Sequence, residues 1–298
     1  MTDHHHDHQH DHHHDHHHQH HHGAAGADDS GWAELLDLDA EVLHGYLSEV
    51  MSQLAQLTRE EPPHRILDLG SGTGTGTLAL LQRFEDAEAI AVDRSPDLLE
   101  HLRRKARAHG VEGRVRTVQA DLDDTWPDFG PVDLVWASAS VHHLTDPDRG
   151  LREIFERLRP GGLLAVIEMA GFPRFLPDDV GRGRPGLEAR CHAVQAQEHA
   201  ERMPELGSDW GPRLSRAGFG IATERPFEID LRPPLPEPTG RYAQAFLRRV
   251  RSHVAERLSP EDLATLDHLL DSDGPDGVLR RDDLTVRAER TLWAARRP

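Results

Sequence analysis

The fold is decided by the stretch Ile66-Leu67-Asp68-Leu69-Gly70-Ser71-Gly72-Thr73-Gly74-Thr75-Gly76. Its first four residues are apolar except for one acid, which predicts a short buried strand that stops at the first glycine. The residues after the last glycine, 77–84, are good helix formers with apolar positions three apart. A glycine-rich turn between strand and helix lets a ligand approach the main chain, because no Cβ atom stands in the way. Backbone N–H groups at the helix start then face that ligand.

Short apolar segments alternate with helical segments on both sides of this turn. The predicted strands are Arg65–Leu69, Ala89–Asp93, Arg114–Ala120, Val132–Ala137 and Leu163–Ile167. This alternation predicts a doubly wound α/β fold with a parallel sheet and right-handed crossovers. The ligand site of such a sheet lies outside the carboxyl ends of its strands.

Local signals mark the ends of the helices between these strands. Ser95 is a good N-cap, Pro96 suits the first helical position, and Gly110 suits the residue after the helix end. A further helix is predicted from Asp146 to Leu158. The residues 160–162, Pro-Gly-Gly, are expected to turn the chain from that helix into the fifth strand.

Three acids at strand ends indicate the kind of ligand. The dinucleotide fingerprint G-x-G-x-x-G fails, because Thr75 takes the place of its third glycine. Asp68 would repel a pyrophosphate but attract an ammonium group. Asp93 can accept hydrogen bonds from both hydroxyls of a ribose. Asp121 and Leu122 offer a polar and an apolar neighbour for an adenine, so a ligand with an amino acid end, a ribose and an adenine fits this set.

These features resemble the motifs of class I S-adenosylmethionine-dependent methyltransferases, in the order typical of that family. The segments that carry the resemblance are Ile66–Gly74, Asp93, Ala120-Asp121-Leu122, Asp133-Leu134-Val135, His142-His143-Leu144 and Leu158-Arg159-Pro160-Gly161-Gly162. The resemblance is strong over residues 64–170 and weak elsewhere. It implies a seven-stranded, mostly parallel, Rossmann-like sheet with an antiparallel last strand, and S-adenosylmethionine as cofactor.

The resemblance also implies which residues bind the cofactor. It places the three glycines of the turn against the methionine portion, Asp93 at the ribose and Asp121 near the adenine. The complete set of candidates is Asp68, Gly70, Ser71, Gly72, Gly74, Asp93, Arg94, Asp121, Leu122 and Ala137. No metal ion is expected in this site.

Candidates for a general base follow the fourth and fifth strands. His142 and His143 come after the fourth strand and titrate in a useful range, and Glu168 follows the fifth strand. Alignment of acceptor and methyl group can supply much of the acceleration, so a base is optional. The alternative is that one histidine of the pair packs or bonds to the backbone.

Two insertions and a leading helix surround the predicted core. The leading segment, 32–57, repeats its apolar residues at threes and fours, which predicts one helix that covers the glycine site or packs on the core. Residues 171–207 and 232–283 are expected to form a substrate cap or dimer contacts, with a helix at Leu187–Arg202 and two further helices in the second insertion. The final strands are predicted at Ile221–Leu231 and Leu284–Ala294. The methyltransferase domain as a whole is assigned to residues 29–298.

Composition narrows the classes of function. The chain of 298 residues has a formal charge of −18, which disfavours a nucleic-acid or anionic-membrane binder. A single cysteine, Cys191, excludes an internal disulfide and fits a reducing compartment. No apolar run has membrane-spanning length. We therefore expect a soluble cytoplasmic protein that acts on a small molecule.

Residues 1–28 form a histidine-rich tail with acids interspersed; fourteen of the 24 histidines lie within residues 1–22. The tail has almost no apolar residue to bury, so we expect it to be disordered. Imidazole and carboxylate groups suit divalent metal ions such as zinc, nickel or copper. The tail either handles metal ions or is an accessory that binds them only adventitiously.

Three functions remain open from the sequence. The first is a small-molecule methyltransferase, which the ordered motifs favour. The second is a non-catalytic protein that binds S-adenosylmethionine on the same fold, because the glycine motif reports binding and not turnover. The third is a metal-handling protein whose tail is the active part.

Overall fold

The structure, a computed structural model, describes residues 28–298, without the side chains of residues 28–30, 198, 201 and 202. The predicted histidine-rich tail therefore lies outside the described residues, apart from its last residue. Within the described part of the chain, no helix combines the length and the apolar character that crossing a bilayer requires.

A seven-stranded sheet forms the centre, with the strand order β3-β2-β1-β4-β5-β7-β6. Its strands are β1 (Arg65–Leu69), β2 (Glu88–Asp93), β3 (Val115–Gln119), β4 (Val132–Ser138), β5 (Leu158–Met169), β6 (Gly220–Leu231) and β7 (Val286–Arg296). The first five strands pair in parallel, and β7 runs antiparallel to both β5 and β6. The predicted doubly wound sheet with an antiparallel last strand is confirmed.

Nine α-helices are present in the described range 28–298. They are α1 (Asp28–Val42), α2 (His44–Leu57), α3 (Thr75–Arg83), α4 (Pro96–Ala108), α5 (Pro147–Arg157), α6 (Leu187–Arg202), α7 (Gly211–Arg216), α8 (Thr239–Val254) and α9 (Pro260–Leu270). The predicted caps of α4 are confirmed, because the Ser95 hydroxyl accepts a hydrogen bond from Leu98 N and Gly110 has φ +67°. Asp146 caps α5 in the same way, through the N–H of Arg149.

The single leading helix predicted over residues 32–57 is wrong, because the chain forms two helices that meet at Leu43. The two helices have different apolar partners. Leu38 and Leu43 pack in a cluster with α8, whereas Val50 and Leu54 pack against the sheet. A straight helix could not direct its apolar residues to both partners.

The turn predicted at residues 160–162 is also wrong, because β5 already begins at Leu158. The register shifts there: Val132 pairs with Leu158, but Leu134 pairs with Leu163. The intervening residues bulge and exchange backbone hydrogen bonds with Arg297 beyond the end of β7. Pairing with β7, which lies more than a hundred residues away in sequence, keeps this segment in the sheet.

Apolar clusters cover both faces of the sheet, with α5 and α7 on one face and α2 and α3 on the other. A separate cluster joins α1, α6, α8 and α9 into a layer above the carboxyl edge of the sheet, which we call the cap. Helix α8 contributes an apolar stripe to this layer. Its members Tyr242, Phe246, Val250 and Val254 are buried in the cap.

Polar contacts attach the cap to the rest of the chain. Asp37 of α1 contacts Lys105 Nζ and His101 Nε2 of α4, each at 2.7 Å. The buried Glu188 carboxylate of α6 accepts hydrogen bonds from the backbone N–H groups of Phe175 and Leu176, at 2.8 and 3.0 Å. The first contact fixes α1 beside the strand-end turns, and the second fixes the loop after β5.

Candidate active site

The glycine turn after β1 has three residues in the left-handed region: Gly70, Gly72 and Gly74, with φ +68°, +53° and +79°. A Cβ atom on Gly70 would lie 2.6 Å from the Ser140 Cβ, and one on Gly74 would lie 2.3 Å from the Leu102 Cγ. Both the backbone conformation and the space therefore require glycine. Gly70 and Gly72 line a cavity, whereas Gly74 faces α4 and is not part of the cavity wall.

The sequence predicts that backbone N–H groups of this turn face a ligand, but several of them bond within the protein. The N–H groups of Gly70 and Ser71 donate to Val92 O at 2.9 and 3.0 Å, and the N–H of Gly74 donates to Ser71 O. These donors are used inside the protein. The glycines therefore bring the backbone close to the cavity but do not offer these N–H groups to a ligand.

Asp93, at the end of β2, organises the same turn. Its Oδ2 accepts a hydrogen bond from Gly72 N at 2.8 Å, and its Oδ1 accepts one from Ser95 N at 2.9 Å. Each carboxylate oxygen has a further lone pair, and the half-buried side chain lines the cavity. Asp93 is thus held in place to accept hydrogen bonds from a diol.

Asp68 is placed differently from Asp93. Its carboxyl group is buried and accepts a hydrogen bond from the Thr77 hydroxyl at 2.5 Å. Burial raises the pKa of Asp68 to about 7, and the negative charge of Asp93 adds to this effect. Near neutral pH, Asp68 is therefore partly protonated, which weakens any attraction to an ammonium group. Its predicted role toward the cofactor stays a prediction.

The remaining cofactor candidates divide into two groups. Arg94, Asp121 and Leu122 all line the cavity, and Asp121 also accepts a hydrogen bond from the N–H of Asp123 in a local turn. Ala137 is an exception, because its side chain is fully buried in the sheet core. Its neighbours on β4, Trp136 and Ser138, line the cavity instead.

Residues 138–140, at the end of β4, are site residues that sequence reasoning missed. All three line the cavity, and Ala139 has φ +50°, which is uncommon for a residue other than glycine. The hydroxyls of Ser140 and Ser71 are buried and have no hydrogen-bond partner in the part of the chain that the structure describes. Orphaned hydroxyls on a cavity wall are expected where a polar ligand satisfies them.

A buried His142–Glu168 pair lies where β4 and β5 end. The His142 Nδ1 is 2.6 Å from Glu168 Oε2, and both side chains are only 2% exposed. Glu168 Oε1 accepts hydrogen bonds from the N–H groups of Val141 and His142, at 3.1 and 3.4 Å. The His143 ring contacts that of His142 at a tilt of 42°, with centroids 4.1 Å apart, but is itself exposed. The two candidate bases therefore differ: His142 is buried and paired with a carboxylate, whereas His143 is exposed.

The cap side of the cavity contains charged and polar residues that the sequence did not reveal. Arg290 of β7 donates from Nη2 to Asp39 Oδ1 at 2.5 Å, and the Tyr242 hydroxyl donates to the same oxygen at 2.6 Å. Gln195 of α6 also lines this side. The four residues come from distant parts of the sequence, so no local pattern predicts their meeting.

All of these groups surround one continuous cavity of about 680 Å³. Asp93 and the glycine turn lie at one end, the end of β4 and His142 lie on its wall, and Phe172 and Phe246 of the cap side complete it. The arrangement has room for two partners, one on each side of the strand ends.

Comparison with known proteins agrees with this geometry. A family model described as a methyltransferase domain matches residues 66–162. Residues 66–162 therefore match a methyltransferase domain of the class I, S-adenosylmethionine-dependent type. The matched range begins in β1 and includes Asp93, Asp121 and His142. The cofactor of this type of domain is S-adenosylmethionine.

Several relatives with assigned activities match part of the chain. Demethylmenaquinone methyltransferase of Thermus thermophilus is 40% identical over 119 residues, which is 40% of this chain and 53% of that protein. Malonyl-[acyl-carrier protein] O-methyltransferase of Laribacter hongkongensis is 31% identical over 185 residues, 60% and 58% of the two chains. Trans-aconitate 2-methyltransferase of Deinococcus radiodurans is 37% identical over 113 residues, 38% and 41%. The chain thus spans about half the length of the curated relatives it matches.

Solved structures show the same fold. A Bacillus halodurans protein assigned as a methyltransferase aligns with a TM-score of 0.52 and 19% identity, over 83% of this chain and 99% of that chain. A Galdieria sulphuraria protein assigned to the methylation of sarcosine and dimethylglycine aligns with a TM-score of 0.52 and 15% identity, over 91% and 98%. At this identity the likeness extends to the fold alone.

The residues at the Asp93 end fit the cofactor of the family. A carboxylate held by two backbone N–H groups suits the ribose diol, and the exposed backbone of Gly70 and Gly72 suits a closely packed ligand. The orphaned hydroxyls of Ser71 and Ser140 provide further hydrogen bonds. The cofactor has no phosphate group, so its binding needs no cluster of basic side chains.

Proposed function

We propose that this protein transfers the methyl group of S-adenosylmethionine to a small-molecule acceptor that binds on the cap side of the cavity. The observation that carries the proposal is the continuous cavity from Asp93, past His142, to Phe246. One end has the residues expected for the cofactor, and the other end is formed by residues outside the matched domain. The small-molecule relatives support the same class of acceptor.

The predicted cofactor residues take part in this proposal with two exceptions. We assign Asp93 to the ribose, Gly70 and Gly72 to the methionine portion, and Asp121 and Leu122 to the adenine. Gly74 shapes the turn against α4, and Ala137 belongs to the sheet core. The insertions 171–207 and 232–283, together with α1, form the cap over the acceptor, and α2 lies beside it.

The cap favours a small acceptor over a macromolecular one. The acceptor side is walled by α1, α6 and α8, and its rings lie in a cluster that closes over the strand ends. A polymer segment needs a long groove, whereas a cavity walled by three helices suits a compact molecule. The −18 formal charge adds no basic surface for a nucleic acid.

Positioning supplies much of the expected rate acceleration. The bound cofactor supplies the methyl group as a sulfonium, an electrophile that an aligned nucleophile can attack. Holding the acceptor in line at near-attack distance contributes about 7–11 kcal/mol in favourable cases. The residues that enclose the cavity also exclude water from the acceptor.

The His142–Glu168 pair can accept a proton from an acceptor that loses one. Glu168 bonds to Nδ1, so Nε2 is the ring nitrogen that remains to take the proton. The carboxylate then stabilises the imidazolium, as in other histidine–carboxylate pairs. His143 lacks such a carboxylate partner among the described residues. We therefore assign the base to His142 and its orientation to Glu168.

A two-step experiment tests the proposal on the full chain. Calorimetric titration with S-adenosylmethionine and S-adenosylhomocysteine comes first, and we expect both to bind. A panel of hydroxyl, amine, thiol and carbon acceptors is then screened by release of S-adenosylhomocysteine. Failure to bind either compound would sink the proposal. Binding without release from any acceptor would favour the non-catalytic alternative.

A truncated variant separates the tail from the domain. Deleting residues 1–22 should leave the affinity for S-adenosylmethionine unchanged, because every proposed cofactor residue lies between residues 68 and 140. Loss of cofactor binding in the truncated chain would show instead that the tail is part of the working site.

A further inference from the structure

The acceptor side of the cavity is lined mainly by rings. Trp32, Tyr46, Phe172, Tyr242 and Phe246 all face it, from α1, α2, the loop after β5, and α8. The centroids of Phe172 and Phe246 are 6.0 Å apart with the rings tilted by 45°. Surfaces of this kind pack well against a flat apolar molecule, because aromatic rings favour stacked and edge-on contacts.

Two buried polar atoms interrupt this apolar wall. Arg290 Nε and Gln195 Oε1 have no hydrogen-bond partner among residues 28–298, as far as their side chains are described. Arg290 is 9% exposed and Gln195 is 5% exposed, and both residues line the cavity. One atom is a donor and the other an acceptor. Such atoms are costly to leave unpaired, so a bound molecule with matching groups is the natural partner for both.

The charges around Arg290 restrict what its Nε can bind. Asp39 already pairs with the guanidinium at 2.5 Å, so the two formal charges offset each other. Arg290 also overlies the ring of Tyr46, with 5.4 Å from the guanidinium carbon to the ring centroid. Arg249 lies further along the wall, over Trp32. An anionic ligand at Arg290 would meet the Asp39 carboxylate, whereas a neutral oxygen would meet a donor without net repulsion.

We propose that the acceptor is an uncharged, planar aromatic molecule that directs a carbonyl oxygen to Arg290 Nε and a hydrogen-bond donor to Gln195 Oε1. This assignment rests on the proposed methyl transfer, because it describes the second substrate of the same cavity. Arg290 and Gln195 act as specificity residues and take no part in the proton transfer assigned to His142.

A matched set of fluorescent and aromatic probes tests the assignment without knowledge of the natural acceptor. The parent probe is 7-hydroxycoumarin, which has a ring carbonyl and a phenol at opposite ends. The compound 2-naphthol lacks the carbonyl, 7-methoxycoumarin lacks the donor, and 7-hydroxycoumarin-3-carboxylic acid adds a negative charge. Each is titrated into the full chain saturated with S-adenosylhomocysteine, at slightly acidic pH, where the phenol of the parent is protonated.

We expect 7-hydroxycoumarin to bind about tenfold more tightly than 2-naphthol or 7-methoxycoumarin, because each of these leaves one buried atom unpaired. The carboxylic acid should bind most weakly. Equal binding of the three uncharged probes, tightest binding of the acid, or no binding of any probe would each overturn the proposal.

The substitution Gln195→Leu tests the donor contact. It should weaken the binding of 7-hydroxycoumarin about tenfold and leave the binding of 7-methoxycoumarin unchanged, because the methoxy compound has no hydrogen-bond donor to lose. The control is Gln197→Leu, an exposed position on the same helix, which should change neither affinity. Equal weakening of both probes by Gln195→Leu would mean a loss of packing and not of a specific hydrogen bond, and would contradict the proposal.

The substitution Asp39→Asn tests the charge argument and keeps an oxygen for Tyr242 and Arg290. Removing one carboxylate should raise the affinity for the acid probe about tenfold and leave the neutral probes nearly unchanged. An unchanged acid affinity would contradict the role assigned to Asp39. Intact binding of S-adenosylhomocysteine in every variant shows that the cofactor end is preserved, whereas its absence in the unmodified chain would count against the proposed function itself.

Discussion

At the Asp93 end of the cavity the backbone shapes the site, whereas at the Phe246 end side chains from distant elements shape it. The Asp93 end consists of turns that directly follow β1, β2 and β4, with glycines where side chains would collide. The cap end combines Asp39, Gln195 and Arg290, which lie on α1, α6 and β7. A site built from strand-end turns is fixed by the fold, but one built from side chains can change without altering the sheet. This difference explains how one fold serves many acceptors.

The largest effect, on kcat, is expected from His142, which lies on the cavity wall between the two ends. Replacing His142 by Gln should lower kcat by about 10²–10⁴-fold with an acceptor that loses a proton, because the variant has no nitrogen able to take that proton. The affinity for S-adenosylhomocysteine should stay the same. Steady-state kinetics with an acceptor from the screen, together with calorimetry, measures both quantities.

Two further variants complete this test. His143→Gln should have a much smaller effect, because His143 is exposed and has no carboxylate partner within the described range. Glu168→Gln should lower kcat and alter its pH profile, since it removes the group that stabilises the imidazolium. Equal losses in the two histidine variants would mean that the pair acts through packing.

The next largest effect concerns the cofactor end. Asp93→Ala removes the proposed ribose contacts and the two backbone hydrogen bonds that hold the turn. We expect the Kd for S-adenosylhomocysteine to rise about 100-fold, which corresponds to about 3 kcal/mol. Asp121→Ala is the matched control, and its exposed side chain makes a few-fold change the expected result. An unchanged affinity in Asp93→Ala would remove this residue from the site.

A smaller effect is expected from the cap, as a dependence of stability on pH. Burial raises the pKa of Glu188 from 4.5 to about 7, so between these values the folded state binds more protons than the unfolded state. The free energy of unfolding therefore decreases as the pH rises through this window. From about pH 5.5 to about pH 7, this group alone accounts for about 2 kcal/mol.

Urea denaturation of Glu188→Gln at both pH values measures that contribution. The variant should lose less stability than the unmodified protein over the same interval. The pKa of Asp68 is also raised, so part of the decrease should remain in the variant. Glu256→Gln, an exposed change in the cap region, should reproduce the unmodified pH dependence. An identical pH dependence in Glu188→Gln would contradict the assignment.

The smallest effect concerns strain at the end of β4. Ala139 has a left-handed backbone, which costs an L-residue about 1–2 kcal/mol, whereas glycine costs about 0.5–1 kcal/mol in chain entropy. Ala139→Gly should therefore raise the free energy of unfolding by about 0.5–1 kcal/mol in urea denaturation. A decrease in stability would mean that the alanine methyl group makes contacts that outweigh the strain.

The contrast between the two ends also explains what the sequence could predict. The caps of α4, the glycine turn and Asp93 depend on neighbours a few residues away, and all were predicted where the structure has them. The break at Leu43 and the bulge before Leu163 depend on packing against distant elements, and both were missed. Ala137 lies in the core although Trp136 and Ser138 line the cavity, because a strand pattern does not show which side chains reach a ligand.

The cap residues could not be predicted for the same physical reason. Arg290 was part of a predicted final strand, and its neighbours there do not indicate that it pairs with Asp39. The pairing is set by the order of β5 and β7 and by the crossing of α1 and α8. Gln195 was inside a predicted helix, but its direction toward the cavity depends on how that helix lies on the cap.

The position of α1 has a kinetic consequence for the whole cycle. Leu36 lies so close to the glycine turn that a Cβ atom on Gly72 would be 3.1 Å from it, and Asp37 holds the helix through Lys105 and His101. We expect spent cofactor to leave more readily when this helix moves away. That movement breaks the partly exposed Asp37–Lys105 ion pair, which dissolved salt weakens. Turnover limited by exchange would accordingly run faster as ionic strength increases.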